Sequence, residues 1–253
     1  MPTEGYSIAI WVLMALAAVF AGVSKGGFGS GAAFASAAIL ALVMPPGQAL
    51  GIMLPLLMLI DLATLQPYWR QWSWSDARLL ILGALPGVGL GAWLYAQADA
   101  DLFRLLIGGI ALAFVAWQAG LRAGGLRPRS RPLPVWGGAL AGLVAGFTSF
   151  VSHAGGPAAA VYLLSRQLGK TPFQATTVLV FGIINVVKFV PYAVLGMFTW
   201  DTLSVNLALA PFALLGAWLG VKAHHLVSER AFFAITYALL SVTGIKLIWD
   251  GIM

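Results

Sequence analysis

The sequence contains no cysteine and very few charged residues. Only 9% of its 253 residues are Asp, Glu, Lys or Arg, against about 25% in soluble domains. The missing cysteines exclude disulfides, thiol chemistry and cysteine-ligated metal. The scarcity of charge, together with a hydrophobic content of 60%, excludes an ordinary soluble globule and indicates a membrane protein.

Long apolar runs occupy most of the chain. A membrane-spanning helix needs about 20 mostly apolar residues. We therefore predict an all-α, polytopic membrane protein with ten apolar segments, at residues 6–23, 28–43, 47–68, 77–97, 102–121, 134–151, 156–166, 173–198, 202–222 and 230–250. Because the second and seventh segments are short, the number of true crossings stays open at six, eight or ten.

The chain is basic, with a formal net charge of +6, but the basic residues follow the predicted topology. They lie mainly in connections that fall on one side of the membrane: Arg70, Arg78, Arg122, Arg127, Arg129, Arg131, Arg166, Lys170, Lys222 and Arg230. By the positive-inside rule these connections are cytoplasmic and both termini are outside. The exception, Arg104, has Asp101 three residues earlier as a helix partner. Nucleic acid is therefore not an expected partner.

Two glycine-rich breaks carry a basic residue at the same place. The first runs from Gly22 to Gly31 as GVSKGGFGSG, and the second from Ser149 to Pro157 as SFVSHAGGP. Glycine lets backbone N–H groups approach a ligand, and helix ends leave those groups unpaired. A positive side chain beside such donors favours an anion, so a site of this kind inside a bilayer predicts transport.

The similarity between the two halves extends beyond these breaks. Pro46 and Gln48 align with Pro172 and Gln174, and the sequence GAWL recurs at 91–94 and 216–219. We predict an N-terminal repeat at 1–121, a cytoplasmic linker at 122–133 and a C-terminal repeat at 134–253. Five segments in each half make the second copy run opposite to the first, as in secondary transporters built from inverted repeats. Each break is then the bend of a re-entrant hairpin, and the two hairpins dip in from opposite faces.

With this doubled motif, length and two-half layout, the chain resembles the sulfite exporter TauE/SafE family of membrane permeases. The strongest marks are the sequence GGFGSG at 26–31 and the sequence GGP at 155–157. The resemblance implies movement of sulfite, organosulfonates or related small anions across the bacterial inner membrane. It implies a substrate class and not a single ligand.

The candidate substrate-binding residues all come from the two breaks. Lys25 is a candidate anion ligand, and His153 could bind the anion or accept a coupling proton, because histidine changes charge near neutral pH. The alternatives are a loop lysine and a neutral, hydrogen-bonded histidine. The full set is Ser24, Lys25, Gly26, Gly27, Gly29, Ser30, Gly31, Ser149, Ser152, His153, Gly155 and Gly156. The serines offer hydroxyl donors and the glycines offer backbone N–H groups, while packing between helices is the alternative role for both.

Asp61, Asn185 and Lys188 are candidates for coupling or gating. Charged residues inside a membrane are costly and usually functional. Asp61 could carry a coupling proton or cation, and Lys188 could attract the anion toward the outer mouth. Alternatively the two residues pair with each other, or Lys188 extends to the interface. Asn185 could line the same cavity or bond to a neighbouring helix.

Signatures of soluble enzymes are missing from the sequence. The glycines at 26–31 do not form a P-loop, because no Gly-Lys-Ser/Thr follows them. No cluster has metal-ligand spacing. We therefore expect a protein that is not an enzyme and needs no cofactor.

These patterns together predict a secondary transporter, an exporter, of a small anion such as sulfite or an organosulfonate. The substrate would bind between the two glycine-rich bends and cross by alternating access. A passive anion channel, a cation or metal transporter and a membrane assembly scaffold are the alternatives. The expected partners are the anion and the lipid bilayer. Coupling to a proton or cation and uniport are both left open, and so is a homo-oligomer.

Overall fold

The computed structural model describes residues 6–27, 32–123, 132–223 and 229–253. Of residues 122, 223 and 229–232 it describes the backbone alone. The described residues form ten α-helices and no strand, which confirms the all-α fold class. The helices are α1 Ile8–Gly27, α2 Phe34–Leu40, α3 Pro46–Leu65, α4 Trp74–Gln97, α5 Ala100–Arg122, α6 Val135–Ser152, α7 Gly156–Ser165, α8 Lys170–Val194, α9 Trp200–Ala223 and α10 Glu229–Ile252.

Eight of these helices are long and apolar enough to cross a membrane, counting only the part of the chain that the structure describes. The remaining two, α2 and α7, have 7 and 10 residues, which correspond to about 10 and 15 Å of helix. Neither can cross a hydrocarbon core of about 30 Å. The described residues therefore contain eight candidate membrane-spanning helices, and α2 and α7 are not among them.

Both short helices return the chain to the end of the bundle from which it entered. Gln48, in the first turn of α3, donates a hydrogen bond from Nε2 to the Tyr6 hydroxyl just before α1, at 2.6 Å. In the second half, the backbone N–H of Leu133, just before α6, donates to Oγ of Ser165 at the end of α7, at 3.1 Å. The pairs α1–α2 and α6–α7 are therefore hairpins.

The two hairpins enter from opposite ends of the bundle. Helix α4, with 24 residues, is about 36 Å long. At its start, the Ser73 N–H donates to Thr176 Oγ1 near the beginning of α8, at 2.9 Å. Near its end, Tyr95 contacts Gly47 at the beginning of α3. We call the end with Tyr6 and Gly47 the terminal face, and the end with Leu133 and Thr176 the linker face.

The first helix of each half packs along the fourth helix of the other half. Helix α1 lies against α9, and α4 lies against α6, and these are the two most extensive helix contacts. Small residues allow the backbones to approach closely. A Cβ at Gly22 of α1 would overlap the backbone of α9 at Ala213 and Ala217, and a Cβ at Gly87 of α4 would overlap the Leu143 carbonyl of α6. This crossed packing fixes each hairpin against the opposite half.

Large apolar side chains cover the outside of the bundle. Leu207 of α9 is 70% exposed and Val242 of α10 is 69% exposed. Exposed apolar surface on this scale is unfavourable in water and suits contact with lipid chains. The polar and charged groups inside the bundle therefore have to find their partners within the protein.

The close contact between α4 and α6 should be sensitive to a single methyl group. We expect Gly87→Ala to lower the free energy of unfolding by about 1–3 kcal/mol, because the added Cβ meets backbone that cannot move cheaply. Gly89→Ala on the same helix is the matched control, since no atom lies within 4 Å of the Cβ that it would gain. Thermal unfolding in detergent measures both, and equal shifts would contradict the packing role of Gly87.

Candidate functional site

A buried ion pair joins the first hairpin to the centre of the bundle. Lys25, in the last turn of α1, pairs through Nζ with Oδ1 of Asp61 on α3, and each side chain is about 95% buried. Asn185 of α8 donates from Nδ2 to the other carboxylate oxygen of Asp61, at 2.6 Å. Both oxygens of the carboxylate are thus engaged, by groups from two different helices.

The amide of Gln174 holds the end of α1 in place. Its Nε2 donates to the Lys25 carbonyl oxygen at 3.3 Å. Carbonyls in the last turn of a helix have no partner within the helix, so this bond satisfies one of them and ties α1 to α8. Gln48, which aligns with Gln174 in the repeat, makes a different contact: it donates to the Tyr6 hydroxyl within its own half, at the terminal face.

Lys188 on α8 is fully buried and anchors the second hairpin. Its Nζ lies 2.9 Å from the Ser149 carbonyl oxygen, 2.9 Å from Ser149 Oγ and 2.8 Å from His153 Nδ1. An ammonium group has three N–H donors, and these three acceptors match them. Among the described residues, Lys188 has no carboxylate within salt-bridge distance.

The bend of the second hairpin is built around His153. This residue ends α6 in the left-handed conformation, with φ of 57°, a region that glycine usually occupies at helix ends. Its N–H donates to the Ser149 carbonyl at 3.0 Å, and the N–H of Ala154 donates to the Thr148 carbonyl at 3.1 Å. The unusual backbone conformation directs the imidazole into the bundle, where the side chain is buried.

The hydrogen bonds of His153 assign its tautomer. Nδ1 faces the ammonium of Lys188 and therefore accepts, while Nε2 lies 3.3 Å from the Leu50 carbonyl oxygen and therefore donates. This assignment from the network makes the imidazole neutral. The basic side chain available to an anion at the second hairpin is then Lys188 and not His153.

The two clusters form one charged site. Asn185 and Lys188 are three residues apart on α8, about one helical turn, and so lie on the same side of that helix. The site comprises Lys25, Asp61, Asn185, Lys188 and His153. It contains two lysines and one carboxylate, so its basic side chains outnumber its acidic ones by one. The charged form of an unpaired buried lysine is costly unless a counter-ion is bound.

The serines of the breaks contribute unequally to this site. Ser149 contacts Lys188 through both its hydroxyl and its carbonyl oxygen. Ser152 donates instead to the Thr148 carbonyl, at 3.1 Å, and Ser24 is buried near the end of α1. Ser149 is therefore the serine of the second break that the structure brings to the charged cluster.

The glycines of the breaks have packing roles. Gly26 and Gly27 lie within α1, where a Cβ would overlap the backbone of α9, and Gly155 lies against Ala145 and Phe181. Gly156 begins α7. The predicted donation of their N–H groups to a ligand stays a prediction, and Gly29, Ser30 and Gly31 lie outside the described residues.

The structure decides between the alternatives left open for the intramembrane charges. Asp61 pairs with Lys25 and not with Lys188, and Lys188 is buried at a hairpin bend instead of extending to an interface. Asn185 bonds directly to Asp61. Sequence reasoning did not identify the Leu50 carbonyl, because a backbone carbonyl is present in every residue and gives no signal in the sequence. It also missed Gln174, although the alignment of this residue with Gln48 in the repeat could have indicated it.

Sequence reasoning also missed a second buried carboxylate, at the linker face. Asp76, near the start of α4, accepts from the Tyr162 hydroxyl at 2.9 Å and pairs with Arg166 Nε at 2.9 Å. Ser73 Oγ donates to its other oxygen at 2.6 Å. These bonds attach the end of α7 to α4, so Asp76 positions the second hairpin.

Comparison with known protein families gives one match. The model of the family described as "Sulfite exporter TauE/SafE" matches residues 14–247, almost the whole chain. This match confirms the resemblance indicated by the two glycine motifs. No curated protein and no solved structure matches the chain.

The Lys25–Asp61 pair should show the energetics of a buried ion pair. We expect Lys25→Met and Asp61→Asn each to lower the free energy of unfolding by about 3–5 kcal/mol, because each leaves one buried charge unpaired. The double variant should be more stable than the sum of the two losses predicts.

Thermal unfolding of all three variants in detergent measures this coupling. The exposed pair Lys246–Asp250 is the control, and its removal should cost less than about 1 kcal/mol. Strict additivity of the losses at Lys25 and Asp61 would contradict the ion pair.

Proposed function

The chain belongs to the sulfite exporter TauE/SafE family, and we propose that it is a secondary transporter that moves a small anion, sulfite or an organosulfonate, across the bacterial inner membrane by alternating access. Membership of the family implies a membrane transporter of sulfite or a related anion. One observation carries the proposal for this site: Lys188 is fully buried without a carboxylate partner among the described residues, which leaves the cluster with one more basic side chain than carboxylates.

The substrate would bind between the two hairpin bends, where Lys188 is the first ligand of the anion. Ser149 Oγ, which already contacts Lys188, would donate to an anion oxygen once the ammonium turns toward the substrate. The N-terminus of α7, which begins three residues after His153, adds partial positive charge. Lys25, held by its pairing with Asp61, would add the second positive charge of the site. The remaining serines and glycines of the two breaks stay candidate ligands.

His153 has a positioning role in this scheme. Because its Nδ1 accepts from Lys188 and its Nε2 faces the Leu50 carbonyl, a second proton on the ring would displace one of these partners. Neutral His153 instead fixes the direction of the lysine side chain. The hairpin bend and α3 are thereby joined through one imidazole, which couples the position of the hairpin to the state of Lys188.

The arrangement of the hairpins supports alternating access. They enter from opposite faces, and each packs against the other half of the protein. In transporters with inverted repeats, one half rocks against the other around a central site. Export of an anion from a negative cytoplasm is favoured by about 2.3 kcal/mol per charge at 100 mV, so the membrane potential suffices as a driving force.

The distribution of charge supports a cytoplasmic linker face. Basic residues lie at this end of the helices: Arg70, Arg78, Arg166, Lys170 and Lys222. At the terminal face the described basic residues Arg104 and Lys246 are each paired with an acid. The positive-inside rule then places the linker face, and with it the loop at 122–133, in the cytoplasm, and both termini outside.

Replacement of the buried lysines should abolish transport. We expect Lys188→Met and Lys25→Ala each to remove uptake of labelled sulfite or methanesulfonate into proteoliposomes, because the anion then enters a site without its counter-charge. Lys246→Met, at an exposed position, should retain wild-type flux. The wild-type protein should also show counterflow, the exchange of labelled for unlabelled anion, which a channel does not show. Normal flux in Lys188→Met that matches the control would refute the proposed site.

Single cysteines test the proposed orientation, since the chain has no cysteine of its own. Thr171→Cys lies at an exposed position on the linker face and Gln97→Cys at an exposed position on the terminal face. In intact cells an impermeant maleimide should label the second variant and not the first, because the linker face is cytoplasmic. Labelling of Thr171→Cys from outside would reverse the topology.

A further inference from the structure

The charged site contains its own competing anion. The carboxylate of Asp61 pairs with the ammonium of Lys25. A transported anion would otherwise bind to that ammonium. Lys188 has neutral acceptors only. With both lysines protonated, the site holds two cations and one internal anion. A monoanion neutralises the excess charge of +1 without disturbing Asp61, and a dianion does not.

A dianion would leave the same site with a net charge of −1. Uncompensated charge in a low-dielectric interior is avoided by protonation of the group that has lost its partner. If Lys25 turns from Asp61 to the second negative charge of the dianion, Asp61 loses its cation and keeps only the amide of Asn185. A proton on Asp61 Oδ1 then restores neutrality, with two ammonium groups facing two negative charges.

We propose that Asp61 adjusts proton coupling to the charge of the cargo: a monoanion is carried with Asp61 ionised, and a dianion is carried together with one proton held by Asp61. The inference rests on the proposed transport function. The proton comes from the water on the side to which the site is open. It forms an O–H bond at Oδ1 as the Lys25–Asp61 ion pair separates, and it returns to water when the pair forms again on the other side.

The surroundings of Asp61 make it the proton acceptor. Among the described residues, the groups that contact its carboxylate are Lys25 from α1 and Asn185 from α8, and Lys188 lies one turn beyond Asn185 on α8. On its remaining side Asp61 lines an apolar cavity of about 470 Å³ between α3 and α8, whose other lining residues are aliphatic or glycine. No second carboxylate of the described chain is available at this depth to take the proton.

The other titratable groups near α3 are occupied or distant. Both ring nitrogens of His153 already have partners. The described charged side chains of α9, Asp201 and Lys222, lie in its first and last turns. On α5, Asp101 and Arg104 form an exposed pair near its start.

Sulfate and methanesulfonate provide a matched test. Both are tetrahedral, but methanesulfonate has a methyl group in place of one sulfate oxygen and is therefore a monoanion, whereas sulfate is a dianion. Both keep a fixed charge between about pH 6 and 8, so a proton taken up on binding is taken up by the protein. In weakly buffered detergent solution, wild-type protein should take up about one proton per bound sulfate and none per methanesulfonate. Sulfate affinity should accordingly weaken by up to about tenfold for each unit by which the pH rises, while methanesulfonate affinity should not change with pH.

The variant Asp61→Asn tests whether Asp61 is the residue that takes up the proton when sulfate binds. This variant should bind sulfate without proton uptake, and its preference for sulfate over methanesulfonate at pH 8 should rise by about tenfold, since sulfate no longer has to recruit a proton. Asp250→Asn, in the exposed pair with Lys246, is the matched control and should behave as wild type. Because Asp61→Asn is expected to lower stability, the measurement on wild-type protein stands independently of it.

The outcomes separate this inference from the proposed function. If both anions bind with the same proton uptake, or if sulfate fails to bind at every pH at which methanesulfonate binds, the coupling rule is refuted and anion transport stands. If Asp61→Asn still takes up the proton, the assignment to Asp61 is refuted. If wild-type protein binds and transports neither these anions nor sulfite, the proposed function itself fails.

Discussion

The cost of burying charge in a membrane is the constraint that organises this protein. Two lysines and one aspartate lie inside a bundle whose outer surface is apolar, and water is not available there to solvate them. Each charge is therefore held by a group from another helix: Lys25 by Asp61, Asp61 by Asn185, and Lys188 by Ser149 and His153. Four separate elements meet at this site because no single helix could satisfy these groups.

The glycines make such a meeting geometrically feasible. Two short helices, α2 and α7, do not cross the bundle, so their hairpins need support from neighbours along their length. The close backbone contacts of α1 with α9 and of α4 with α6 provide it. Small residues thus serve the site indirectly: by allowing the helices to approach, they bring the end of α1 and the bend after α6 to the same central pair, α3 and α8.

Much of the fold could be predicted from composition and periodicity. Nine of the ten predicted segments coincide closely with the observed helices, because long apolar runs admit little else in a bilayer; the helical part of the second is shorter, at Phe34–Leu40. The local pair Asp101–Arg104 followed from helical spacing. The partners of Asp61, Lys188 and His153 did not, since they lie 35 or more residues away along the chain, and several arrangements were equally consistent with the sequence.

The sequence by itself determined that this chain is a helical membrane protein with two similar halves, two basic glycine-rich breaks and three further polar residues inside the bundle. These properties are local: they depend on residue type and spacing along one segment. Only the tertiary structure decided that Asp61 pairs with Lys25, that the imidazole of His153 lies against Lys188, and that Lys188 has no carboxylate partner among the described residues. Those assignments depend on which side chains lie within about 3 Å of one another, a distance that helix packing sets and residue order alone does not.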